Sequence, residues 1–492
     1  MRTKSRRWIG AAVLSLSLLW PLTGCSTNPA TGSQDFTGLV STAQEQEIGR
    51  RQHPQVLARF GGPYGDAALA RYIDEIGHRL VAVSEAPNQP YTFTVLNDEL
   101  VNAFALPGGY VYITRGLLAL AENEAEVAGV LAHEIAHVVA RHSAQRISQG
   151  IIAQLGAIAL GIALESGDAA RIAASSADVY LRGFSREHEM EADLLAARYM
   201  SRAGYDTRAL VTLFTKIRDY KALQARLAYQ PTEEGSDILS THPRTEDRIA
   251  QGIALAQVTR NPNAVLGRDV YLRQIDGLLF GDDPKQGLRL GEAFIHPTLN
   301  FRFQVPPGFR LFNSSAAVRA LGPRSTGIVF DGERRRDALQ RAARLPMTRY
   351  LTQEWAKGIT LQAVERITVN GMEAATGATR GRGPAGLVDL RLVAIRHPGG
   401  IYRFLFISPP SSTASLSEAF RRTTYSFRRP TAAELRAAQP KRLRIREVRA
   451  GETPRRLAQG MEVPGSRYEW LSVINQNALQ SFGAGTPVKL VE

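Results

Sequence analysis

From Thr42 to about Arg59 apolar and polar positions recur with a helical period, interrupted at Pro54, where a missing amide and a bulky ring predict a kink or break. The same period resumes from Asp66 to Val83. Tyr91 to Asp98 (YTFTVLND) alternates instead, with the two-residue period of a half-buried strand. Asn102 to Thr114 (NAFALPGGYVYIT) predicts two strands around a Pro107-Gly108-Gly109 turn, with Thr114 placed to cap a helix through Leu117 to Ala121. A strongly apolar helix follows. Glu122, Glu124 and Glu126 crowd its start and Arg141, His142 and Arg146 its end, a polarity that suits the helix dipole. Ile151 to Leu164 is apolar, too short for a membrane span, and predicts a buried or lid helix. Further helices are predicted over Arg186–Arg202, over Thr207–Ala228 and from THPRTEDRIAQGIALA at 241–256.

After Asn261 the texture changes. From about Leu288 to Phe427 segments such as FRFQVP, ERITVNG and VDLRLVAIRHPGGIYRFLFI alternate, with Gly and Pro at the turns, and predict an α+β domain dominated by an antiparallel sheet. RRPTAAELRAAQPKR reads as a linker to a small unit over Leu443–Glu492, and no repeat of 20 to 50 residues is present.

The 492 residues are 44% hydrophobic and 22% charged, a globular composition long enough for about three domains. Arg2, Lys4, Arg6 and Arg7 precede a short apolar run that ends in Leu22-Thr23-Gly24-Cys25. This resembles a bacterial lipobox, which implies that residues 1–24 are a signal peptide, that Cys25 is lipidated, and that the non-acidic Ser26 directs the protein to the outer membrane of the periplasm. Cys25 is the only cysteine, so lipidation leaves no thiol for a disulfide. Net charge is +14, and losing the four basic residues of the n-region leaves +10. Export removes nucleic acid as a partner. What remains is a solvated basic surface, or one facing anionic lipid or wall polymers.

The apolar helix carries His133-Glu134-Ile135-Ala136-His137. Residues four apart share a helix face, so both imidazoles can reach one zinc ion, and Glu134 can hold and deprotonate a water beside it as general base. A catalytic zinc needs a third protein ligand. His142 is near, but Ala140 and Ser143 break the metzincin pattern, and His142 reads as a helix-end residue. FSREHEMEADLLAARY offers Glu189 as a carboxylate ligand and Asp193, one turn on, as hydrogen-bond partner to a liganding histidine. Spacing alone does not choose Glu189 over Glu191.

HExxH followed by Ser185, Arg186, Glu189, Ala192 and Asp193 in an SRxxExxAD pattern resembles the gluzincin family of the CAAX prenyl endopeptidase and HtpX type, in its periplasmic BepA-like lipoprotein branch. NAFALPGGYVYITRGLL resembles the family's edge hairpin, and THPRTEDR its HPxxxxR segment. The resemblance covers about Thr42 to Ala256 and departs from that branch in lacking helical repeats afterwards. It implies that one zinc per chain is held by His133, His137 and Glu189, with Asp193 and Arg248 supporting. It also implies that His242 either stabilises an oxyanion or occupies the open zinc position as a latch.

The fold class expected is therefore multidomain. A signal peptide (1–24) and tether (25–41) lead to a mainly α-helical zincin-type domain with a small edge sheet (42–260). An α+β antiparallel-sheet domain (285–430) and a small C-terminal module (441–492) follow. That module (LRIREVRAGETPRRLAQGM, WLSVINQ, GTPVKLV) loosely resembles LysM, which implies peptidoglycan as a candidate partner beside outer-membrane assembly machinery; a structural cap is the alternative. The function expected is zinc-dependent hydrolysis of unfolded or unassembled envelope polypeptides. Substrate would lie along the edge strand at Asn102, Ala103, Phe104 and Ala105. The rival is a latched, zinc-stabilised chaperone or assembly factor. His296 and His397 read as ordinary surface or turn residues.

Overall fold

The computed structural model describes residues 25–28, 30–32, 34–37, 39–149, 183–228, 238, 242, 245–258, 261–333, 335–343, 345–383 and 386–492. The expected signal peptide and the expected helix at 151–164 lie outside the described residues. Two compact units emerge. One takes 1–58, 62–278 and 443–492, the other 59–61 and 279–442. No helix among the described residues is long and apolar enough to cross a membrane.

In the first unit, short strands β1 (Cys25–Thr27) and β2 (Gln34–Phe36) pair antiparallel, so part of the segment expected as a tether is folded. Helix α1 (Thr42–Arg59) runs through Pro54 without ending. Gln52 and Val56 flank the proline and are buried, so packing holds the helix across the missing hydrogen bond. Helix α2 (Ala67–Val81) starts at Asp66, whose carboxylate accepts the amides of Ala68 and Leu69, each at 3.0 Å.

Strands β3 (Thr92–Leu96), β4 (Ala103–Leu106) and β5 (Tyr110–Thr114) form a sheet in the order β3-β5-β4, with β3 parallel and β4 antiparallel to β5. The expected turn between β4 and β5 is present, with Gly108 and Gly109 at φ 81° and 88°. Thr114 caps α3 (Arg115–Leu120) as its sequence position predicts, accepting the amide of Leu117. Helix α4 (Glu124–Val139) then crosses the interior, with every residue buried except Val138.

After α4 come α5 (residues 142–149), α6 (Arg186–Arg202), α7 (Arg208–Ala228), α8 (Thr245–Val258) and α9 (Arg268–Ile275). The C-terminal segment adds β6 (Lys441–Glu447), α10 (Pro454–Gln459), α11 (Arg467–Ile474), α12 (Gln476–Gln480) and β7 (Pro487–Val491), with β6 and β7 antiparallel. From Leu443 onward this segment belongs to the same compact unit as α4. Lys489 is fully buried, and its Nζ donates to the carbonyls of Ala119, Leu120 and Ala121 at 2.8, 3.0 and 2.7 Å, satisfying the C-terminal end of α3. The amides of Asn477 and Ala478 donate to the Glu122 carboxylate at 2.8 and 3.0 Å. Lys216 of α7 lies 3.0 Å from Glu122 and 2.6 Å from Glu126. Two of the three carboxylates expected as dipole partners of α4, Glu122 and Glu126, thus belong to a buried ion cluster, while Glu124 pairs with Arg79 and two tyrosines.

The second unit centres on a seven-stranded antiparallel sheet. Its strands lie in the order Arg310–Asn313, Val318–Gly322, Thr326–Gly332, Gly400–Ser408, Gly386–His397, Met372–Gly383 and Gln362–Val369. Phe294, Phe301, Phe303, Phe330, Phe404 and Phe427 fill its main core. His296 and His397 sit at turns but are buried rather than on the surface, each accepting a turn amide through Nδ1.

Candidate metal centre

Local sequence fixes the two helices that meet at the site. Asn123 caps α4 by accepting the amide of Glu126, and Ser185 caps α6 by accepting the amide of His188. On α4 the four-residue spacing points His133 and His137 the same way, with their Nε2 atoms 3.0 Å apart. On α6 the same spacing sets Glu189 toward both imidazoles, its oxygens 3.5 Å from His133 Nε2 and 3.6 Å from His137 Nε2. His242 completes the group, with Nδ1 3.0 Å from Glu189 Oε1 and 3.2 Å from His133 Nε2. All four residues are buried, and one potential ligand atom from each lies within 4.8 Å of the others.

Ligands 2.0–2.1 Å from a tetrahedral zinc stand about 3.4 Å from one another. The contacts of 3.0, 3.0, 3.2, 3.5 and 3.6 Å among these nitrogens and oxygens bracket that edge. Three neutral-capable imidazoles and a carboxylate form an N/O donor set that suits zinc. Beside them stands Glu134, 1% exposed, neither of whose oxygens has a hydrogen-bond partner among the described residues. Its Oε1 lies 3.3 Å from His242 Nε2. A buried carboxylate whose charged neighbour is a single imidazole at that distance has acceptor capacity left over, and suits a site that takes another polar group.

Asp193 accepts from His133 Nδ1 at 2.9 Å. Arg248 in turn donates to both Asp193 oxygens, each at 2.8 Å, and lies 3.2 Å from Glu189, its guanidinium over the Phe214 ring. The electrostatics follow from these pairings. Burial pushes Glu189 up, but His242 and Arg248 outweigh it and hold the carboxyl well below the usual range. Burial raises Asp193 as well, but Arg248 more than offsets it and leaves the carboxyl below its ordinary value. His133 is pushed down by burial and Arg248 yet ends raised, through its bonds to Asp193 and Glu189. At His137 burial and the neighbouring His133 outweigh Glu189 and hold the imidazole well below its ordinary value.

Strand β4 is an outer strand of its sheet, so one backbone edge of Ala103, Phe104 and Ala105 is not used by β5. Asn102 immediately precedes the strand, bonded through its amide to Thr114. A small pocket between β4 and α4 is lined by Ala105, Leu106, His137, Val138, Arg141 and Glu45. Glu191 is separated from the cluster: its carboxylate accepts from Asn28 Nδ2 at 2.8 Å and lies 3.3 Å from His142 Nε2, leaving Glu189 as the carboxylate among the imidazoles. Cys25 lies in β1, three residues before Asn28.

Two residues at the site escape sequence reasoning. His142, expected as a helix-end residue, is buried with Nδ1 2.8 Å from His137 Nδ1. Phe184 stacks on the His137 ring with centroids 4.0 Å apart. No spacing rule identifies either.

The sequence profile of Peptidase family M48 matches residues 67–253, which contain every member of the donor cluster. The beta-barrel assembly-enhancing protease of Escherichia coli K12 is 31% identical over 243 residues, covering 47% of this chain and 48% of its own. A Vibrio cholerae protein provisionally given the same name is 39% identical over 222 residues, covering 43% of this chain and 44% of its own. The mitochondrial metalloendopeptidase OMA1 of Schizosaccharomyces pombe is 30% identical over 257 residues, half of this chain and 71% of the yeast protein. The chain therefore spans less than half the length of the two bacterial relatives.

Proposed function

The chain belongs to peptidase family M48, and from that premise we propose that it is a zinc-dependent endopeptidase of the bacterial cell envelope that cleaves unfolded or unassembled polypeptides. One observation carries this reading: His133, His137 and Glu189 arrive from two helices with the mutual spacing of a tetrahedral zinc shell, beside Glu134, whose oxygens accept no hydrogen bond among the described residues.

When bound, zinc supplies Lewis acidity, polarising the scissile carbonyl and bringing the pKa of water toward ~7. Glu134 takes the proton of the attacking water and delivers it to the leaving amine, a role suited by oxygens that no hydrogen bond among the described residues occupies. Asp193 fixes the His133 tautomer through Nδ1, and Arg248 holds Asp193 and offsets the negative charge of the two acids. An extended substrate adds as a strand along the edge of β4 that faces away from β5, reading backbone rather than side chains, which suits unfolded chains as substrates. Lipidation of Cys25 would hold the enzyme at the outer membrane. The names of the bacterial relatives favour substrates from outer-membrane protein assembly. Docking of Asn477, Ala478 and Lys489 against α3 and α4 favours a structural role for the C-terminal module over glycan binding.

Glu134→Gln should lower cleavage of an unfolded test protein by at least a hundredfold while leaving one zinc bound. Parent-level cleavage by that variant would remove the reading. The position of His242 within the donor cluster favours a second reading, a latched assembly factor with little proteolysis. Holdase activity indifferent to a chelator would support that reading instead.

A further inference from the structure

The two histidines of α4 differ in what faces their far nitrogens. His133 has a carboxylate, Asp193. His137 Nδ1 has a second imidazole, His142 Nδ1, at 2.8 Å. His142 Nε2 lies 3.3 Å from Glu191 Oε2, and the other oxygen of Glu191 accepts from Asn28 Nδ2 at 2.8 Å. On a continuous helix, His142 would point about 140° away from His137. It does not, because Arg141 breaks the helix with a left-handed φ of 56°, held there by Glu45 and the Val40 carbonyl. The turn folds His142 back onto His137.

We propose that His142 is a positioning residue of the metal centre: it fixes the tautomer and ring orientation of His137 and is itself held by Glu191. This rests on the zinc reading above. His137 Nε2 faces His133 and Glu189, so its proton sits on Nδ1 and is donated to the lone pair of His142 Nδ1. With Nδ1 of His142 accepting, its Nε2 donates to Glu191. Both nitrogens of His142 are engaged, which leaves none to bind the metal. Ring flips are opposed by packing. Phe184 lies on His137, and His188 stacks on His142 with centroids 4.3 Å apart. Partners of this kind set ligand basicity and are worth about 10–100-fold in metal affinity.

Asparagine overlays the Nδ1 position of histidine, and glutamine overlays Nε2. His142→Asn therefore keeps an acceptor for His137, whereas His142→Gln and His142→Ala lose it. The experiment is competition of the full-length protein against a chromophoric chelator for zinc, with melting of each metal-free form recorded alongside. The expected result is about 10–100-fold weaker zinc binding in the Gln and Ala variants, with Asn within a few-fold of the parent. Parent affinity in His142→Ala overturns the proposal, as does equal loss in the Asn and Gln variants with unchanged melting. Should His142 variants not fold, Glu191→Ala decides: its side chain is partly exposed, so severalfold weaker binding supports the proposal and unchanged binding overturns it. A parent protein that binds no zinc would instead overturn the metallopeptidase reading itself.

Discussion

His242 stands between two acids from different helices, Glu189 of α6 and Glu134 of α4. Burial pushes its imidazole down, but those two charges outweigh burial and raise it to about 10. A folded-state value above the ordinary 6.5 means the native chain binds the extra proton more tightly than the unfolded chain. The resulting stability is fully present below about pH 6.5 and is lost as pH climbs toward about 10. In zinc-free protein, the urea midpoint should therefore fall between pH 6 and pH 9. His133, raised in the same direction, adds to that fall. His242→Ala should flatten the fall, and under the proposed latch role it should also raise cleavage severalfold in zinc-loaded protein, whereas an oxyanion role would lower it. Parallel pH curves for parent and variant would show that the ring does not carry this charge. The HExxH pentad is readable by eye because one helix turn brings its members together. His142 is not, because its contact depends on the backbone reversal at Arg141, which no local preference of arginine announces.

Residues four apart point the same way, so Glu189 and Asp193 share the face where α6 meets α4, although spacing alone does not separate Glu189 from Glu191. The β4–β5 hairpin was equally legible, since Pro-Gly-Gly between alternating segments admits few conformations. A Cβ on Gly109 would sit 2.1 Å from the Pro90 carbonyl oxygen, at a φ of 88° that side chains rarely adopt. Gly109→Ala should thus destabilise the first unit by roughly 1–3 kcal/mol and displace the outer strand β4. A drop in cleavage out of proportion to the loss in melting temperature would locate substrate along that edge, and an unchanged melting temperature would refute the strain. Pro54 misleads in the other direction: a local break signal is overruled by the burial of Gln52 and Val56.

Taken whole, the molecule is wired across its sequence in a way that periodicity does not reveal. The alternating texture of 288–427 announces the large antiparallel sheet, whereas nothing in residues 443–492 announces that they finish the unit begun at residue 42. Lys489→Met would leave three carbonyls at the end of α3 without their donor and remove a cation from beside Glu122. A cost of about 3 kcal/mol, or a melting temperature lowered by roughly 5–10 °C with earlier release of zinc, is the expected outcome. A melting curve superimposable on the parent's would mean the contact is dispensable.

The buried charges at 122, 126 and 216 precede residue 489 by hundreds of residues in order of synthesis. A nascent chain emerging from the ribosome or translocon carries the whole HExxH helix long before the lysine that completes its surroundings. The charge balance around Glu122 and Glu126 is thus completed by a residue translated hundreds of positions after the helix it supports.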